Sequence, residues 1–176
     1  MKTKKLVLNS ILLAIGLMLH QFTPALGFPM QPDFALATLF IIMILNKDYK
    51  TVLIAGIVTG IFTAMTTKFP GGQIPNIIDK LVTVTIVYGI LYIIRERLNK
   101  NVVLGIILPI GTLISGTIFL GSASILVGLP GGASFGVLFM GVVLPAVIIN
   151  LIAGFALFKV FETSLRRSGL TRDFNI

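Results

Sequence analysis

The chain of 176 residues has no cysteine, a single histidine and only six acidic side chains. Without cysteine there are no disulfides and no thiolate metal sites, and the redox compartment cannot be read. One histidine, His20, cannot furnish a histidine-rich metal centre, and neither H-E-x-x-H nor another dense ligand set occurs. No G-x-x-x-x-G-K-[ST] loop is present, so the chain does not itself hydrolyse ATP by that route. Ser124 and His20 fall on different expected helices with no elbow motif, which argues against a Ser-His-Asp hydrolase. These absences suggest no enzyme, no cofactor and no metal.

Charge is scarce as well. Charged residues make up 11% of the chain, hydrophobic residues 56%, and the mean hydropathy is +1.03, well away from the charged quarter of a soluble domain. That composition marks an integral membrane protein, and at this length one domain is expected over residues 1–176. The net charge of +8 raises the question of nucleic acid. Its charges are scattered between apolar runs, not gathered in a patch, so membrane topology explains them better and no nucleic-acid partner is expected. The N-terminal MKTKK and the apolar run after it have the form of a secretory signal, read here as an uncleaved first helix because more membrane segments follow.

Runs of about 20 apolar residues cross a bilayer as helices, since lipid leaves no partner for free backbone groups. The expected fold is all-α: six transmembrane helices in one bundle, at residues 5–23, 33–45, 51–67, 76–94, 102–127 and 134–161. Helix 2 is short, roughly 13 residues at about 1.5 Å each, and is expected to begin below the membrane surface. Every lysine and arginine except Lys68 and Lys80 falls on the side of the two termini and of the even-to-odd connections. By the positive-inside rule both termini are cytoplasmic.

The external connections then run from Phe22 to Pro32, Lys68 to Pro75 and Gly128 to Ala133. The first, with Pro24, Pro29, Pro32, Phe22 and Phe28 and no charge, suits a semi-rigid flap over a cavity. The others share Pro70-Gly71-Gly72 and Pro130-Gly131-Gly132, either a trace of an internal three-helix repeat or two ordinary tight turns.

The most informative stretch is TTKFPGGQIPNIIDKLVT, residues 66–83, where polar residues interrupt the apolar chain. Asn76, Asp79 and Thr83 fall on one helical face. Asp79 is either a first-turn anion favoured by the helix dipole or part of a site. Lys80 opposes that dipole, so it either snorkels to headgroups or meets an anion in a cavity. Asp33 suits a helix cap, and a sunken helix 2 would bring it, with His20 and Gln21, opposite the start of helix 4. Gly56, Thr59, Gly60, Thr63 and Thr67 form a small-residue stripe, and Asn150 has the depth of a residue that bridges helices.

LVLNSILLAIGLMLH, PDFALATLFIIMILNKDYK and TTKFPGGQIPNIIDK closely resemble the bacterial tryptophan-transport protein family. That family is similar to the substrate-binding S components of energy-coupling-factor transporters. The resemblance implies a bacterial cell-membrane protein with an external substrate pocket closed by the first loop. It also implies docking on a coupling subunit and two ATPases. The helix-1 docking motif of S components has its nearest equivalent here in Ser10 and Ala14.

For a tryptophan zwitterion, Asp33 or Asp79 could meet the ammonium. Lys80, Lys68 or the Gly71-Gly72 backbone could meet the carboxylate. Phe22, Phe28, Phe69, Gln73, Asn76 and His20 are available around the indole. A stand-alone permease for an aromatic amino acid or vitamin, and a non-transporting membrane scaffold, remain the alternatives.

Overall fold

The computed structural model describes residues 2–24, 31–167 and 169. Phe28, most of the first external connection and Arg172 lie outside the described residues. Among those described there is no strand, and the helices are α1 (Lys2–Phe22), α2 (Phe34–Leu45), α3 (Tyr49–Thr66), α4 (Gln73–Ile94), α5 (Lys100–Leu126) and α6 (Phe135–Arg167). Five of them are long and apolar enough to cross a membrane, and α2 is the shorter sixth. This is a polytopic membrane bundle.

Helix starts follow from local capping. Asp33 accepts Leu36 N at 3.0 Å, Asp48 accepts Thr51 N at 2.9 Å, and Asn99 accepts Val102 N at 2.9 Å, each satisfying a donor that the helix leaves open. The Thr51 hydroxyl and backbone bonds hold the exposed Asp48 carboxyl below its ordinary value. The fourth helix starts at Gln73, three residues before the expected Asn76. Pro75 is therefore inside the first turn, where a missing N–H costs nothing.

α2 is the hub. Residues Ala35 through Leu45 are all buried, and the helix packs against α1, α3, α5 and α6. A helix apolar on every side belongs inside a bundle. Because it is too short to reach both surfaces, its ends must be satisfied internally. Asp33 caps one end; at the other, Arg95 donates to Met43 O and Asn46 O, both at 3.2 Å, and Asn46 Nδ2 bridges Ile42 O and Asn9 Oδ1.

Close approach to α2 depends on Gly111 of α5, where a Cβ would lie 2.4 Å from Phe40 Cζ. The small-residue stripe of α3 serves packing in the same way, with Gly56 against Val84 and Gly60 against the Lys80 stem.

The sixth helix contains a π turn at Phe139–Val143, just before Pro145, and continues to Arg167, beyond the expected Phe161. A widened turn is a known accommodation inside helices, and here it precedes a residue that cannot donate to the ladder. The two Pro-Gly-Gly turns differ in backbone path. Gly71 and Gly131 share a positive φ, +71° and +65°, and the paths part at the next residue, where Gly72 has φ −71° and Gly132 φ +70°.

Candidate functional site

One end of the bundle opens into a cavity whose empty space, mouth and open solvent included, is about 550 Å³. The end of α1 supplies His20, and the start of α2 supplies Gln31, Asp33 and Leu36. Thr67, Lys68 and Phe69 of the α3–α4 turn stand beside Asn76, Asp79 and Lys80 of α4. α5 contributes Thr112, Ser115, Gly116 and Phe119, and the far wall is Val143, Ala146 and Asn150 of α6.

Lys80 is almost fully enclosed. Its Nζ lies 2.6 Å from Asp33 Oδ2 and also donates to Asp79 Oδ2. A cation withdrawn from water inside an apolar bundle needs such partners, and here two carboxylates face it. Asp79 is the more committed acid: it also accepts Ser115 Oγ and Thr83 Oγ1, both at 2.8 Å. Since α4 begins at Gln73, Asp79 lies in its second turn and does not cap it. Asp33 keeps 17% of its side chain open, so it is the acid facing the hollow.

His20 is held by Gln31 and faces Asp33. Gln31 Nε2 sits 2.8 Å from His20 Nε2 and donates to His20 O at 2.9 Å, and His20 Nδ1 lies 3.2 Å from Asp33 Oδ1. At the mouth, Lys68 Nζ donates to Thr23 O, which draws the α3–α4 turn against the end of α1. Phe69 and Phe119 meet edge to face, centroids 5.1 Å apart, as an aromatic wall.

The structure brings together Asp33, Asp79, Lys80, Asn76, His20 and Phe69 of the residues singled out from sequence. It leaves Gln73, Gly71 and Gly72 off the lining. Gln73 is exposed on the first turn of α4. Gly71, at φ +71°, turns toward Val127. Gly72 N already donates to Phe69 O at 2.9 Å, so it is not free for a carboxylate. Gln21 and Phe22 are exposed, and Gln31 takes the place beside His20. Lys80 does not snorkel, because both its partners are inside.

Ser10 and Ala14 are exposed on the outer face of α1, the Ser10 hydroxyl bonded to Leu6 O at 2.9 Å. Sequence reasoning missed the α5 contribution. Thr112, Ser115 and Phe119 recur at three- and four-residue steps, a stripe that was there to be read. Among the described residues no cluster of three or more metal-ligating side chains occurs.

A multi-pass helical bundle with a charge-lined hollow at one end, set against aromatic and apolar walls, has the architecture of a membrane transport protein for a small molecule. The family model described as "Tryptophan transporter TrpP" matches residues 2–166, and the chain belongs to that family. It is 51% identical over 96% of its length to a probable tryptophan transport protein of Clostridium perfringens, covering 96% of that protein. It is 51% identical over 94% of its length to one of Clostridium acetobutylicum and 44% over 96% to one of Bacillus subtilis, covering 96% of each. No solved structure was found to match. The chain is thus a multi-pass protein of the bacterial cell membrane, of the transport class.

Proposed function

We propose that the cavity is the capture site of a tryptophan-uptake subunit, open to the extracellular side. The observation that carries this reading is the Asp33–Lys80–Asp79 cluster beside Lys68 at the mouth of an otherwise apolar hollow. Asp33 faces the cavity and meets the ligand ammonium; Lys68, with protons beyond the one it gives Thr23, meets the carboxylate. Phe69, Phe119 and Leu36 enclose the side chain. The names of the relatives supply the ligand, and the cavity chemistry is compatible with it. The side follows from charge: the cavity lies at the end holding only Lys68 and Lys80, opposite the base-rich end.

Energy comes from elsewhere in this reading. The chain has no ATP loop, and it resembles the S components of energy-coupling-factor transporters. A coupling subunit bearing two ATPases therefore docks on the bundle, with the exposed face of α1 around Ser10 and Ala14 as the docking face.

Tryptophan uptake by cells deficient in their own aromatic transport tests both parts. Uptake is expected when the chain is expressed together with the coupling module, and background uptake without it. Full uptake in the absence of any coupling module would instead make the chain a stand-alone permease.

A further inference from the structure

Asn150 is 1% exposed, lines the floor of the cavity, and its Oδ1 has no hydrogen-bond partner among the described residues. Buried acceptors are ordinarily paired, so an orphan pointing at a hollow calls for a donor. Which end of an amide is oxygen is usually a matter of assignment, but here the neighbour fixes it. Thr112 has one hydroxyl proton, and it goes to Leu108 O at 2.7 Å. Toward Asn150, 3.3 Å away, the Thr112 oxygen can therefore only accept. The amide must present its NH2 to Thr112, which leaves Oδ1 as a fixed, unpaired acceptor.

The position of that acceptor is informative. Thr112 lies one turn deeper along α5 than Ser115, the residue bonded to Asp79, and Asn150 lies one turn deeper along α6 than Ala146. Lys68 and Thr67 are at the opposite, outer rim. A ligand anchored by its charged groups at Asp33 and Lys68 thus directs its side chain past Phe119 and Ala146 toward Asn150. The groups just above the floor, Val143, Ala146 and Gly116, are apolar, so the donor arrives at the far edge of an otherwise apolar body.

We infer that Asn150 is a specificity-determining residue whose Oδ1 accepts a ring N–H at the distal edge of the ligand, so that the site selects indole-bearing amino acids over isosteres without the donor. This rests on the proposed binding of tryptophan in the cavity and adds the means of discrimination. Thr112 acts as a positioning residue, holding the amide in the accepting orientation. Filling the acceptor satisfies a group that an isostere leaves unpaired, and the penalty falls on the wrong ligand.

The test compares tryptophan with 3-benzothienylalanine, in which sulfur replaces the ring N–H at nearly constant shape, by equilibrium binding to the full-length protein in detergent. The wild-type protein is expected to bind tryptophan at least about tenfold more tightly, and Asn150→Leu to bring the two within about twofold by weakening tryptophan selectively. Thr112→Val, which frees the amide to turn, is expected to lower the ratio as well.

Saturable tryptophan binding with equal affinity for the isostere in the wild-type protein would overturn the inference and leave the proposed function standing. So would an unchanged ratio in a folded Asn150→Leu variant. An absence of tryptophan binding by the wild-type protein would remove the proposed function and this inference together. The wild-type comparison stands whether or not the variants fold.

Discussion

Lys80 of α4 and Asp33 at the cap of α2 form a buried ion pair, with Nζ 2.6 Å from Oδ2. Asp33 simultaneously caps α2 through Leu36 N and faces His20 Nδ1, so one carboxylate joins α1, α2 and α4 at the rim of the cavity. The function proposed for the cavity and the integrity of this end of the bundle therefore share residues.

Removing the cation alone should be severe. Lys80→Met leaves Asp33 and Asp79 side by side in an apolar interior and is expected to destabilise the protein by about 3–5 kcal/mol, the scale for breaking a buried pair. Adding Asp79→Asn removes one uncompensated charge, so the double variant should be more stable than Lys80→Met alone. Thermal unfolding in detergent measures both, and a Lys80→Met variant as stable as wild type would mean the cluster is hydrated.

Packing around the hub is tested at Gly111. A Cβ there meets the Phe40 ring at 2.4 Å, so Gly111→Ala is expected to cost about 1–3 kcal/mol through overpacking of the α2–α5 contact. Gly89 of α4 is the control: its Cβ would meet nothing within 4 Å, and alanine gains about 1 kcal/mol of helix propensity. Gly89→Ala should therefore equal or exceed wild type in the same melt, and similar behaviour of the two variants would contradict the central position of α2.

The outer face of α1 separates capture from energising. Ala14→Leu adds bulk to an exposed position remote from the cavity lining. It is expected to leave tryptophan affinity within about twofold of wild type, since no lining residue is touched, while lowering coupled uptake by disturbing small-residue docking. Parallel binding and uptake assays distinguish this from a loss of binding, which would place the Ala14 face of α1, and not only His20 at its end, in the site.

Much of the bundle was legible in sequence because lipid imposes simple rules. Apolar length gave the spans, and Asp33, read as suited to a helix cap, does cap α2, whereas the caps at Asp48 and Asn99 went unread. The special placement of α2 was visible from its shortness. Pro75 misled as a helix start: proline is tolerated throughout a first turn, so the helix begins earlier and Asp79 moves from a cap position into the interior. The Gly71-Gly72 backbone looked available for an anion until the turn closed its own hydrogen bond to Phe69 O. Asn150 does bridge to α5, as its depth suggested, but only one end of an amide is needed for that. Its free oxygen depends on where the Thr112 proton goes, which no spacing rule reports.

The claim on which the account depends is that the cavity takes tryptophan through its charged rim. The chain contains no tryptophan, so the indole emission of the ligand can be followed against a protein without any of its own. A fluorescence titration of the purified wild-type protein should show a saturable blue shift. Asp33→Asn, which retains a competent helix cap but loses the charge, should weaken binding at least about tenfold. A wild-type protein that leaves the ligand spectrum unchanged at every concentration, or a folded Asp33→Asn variant that binds as tightly as wild type, would contradict it.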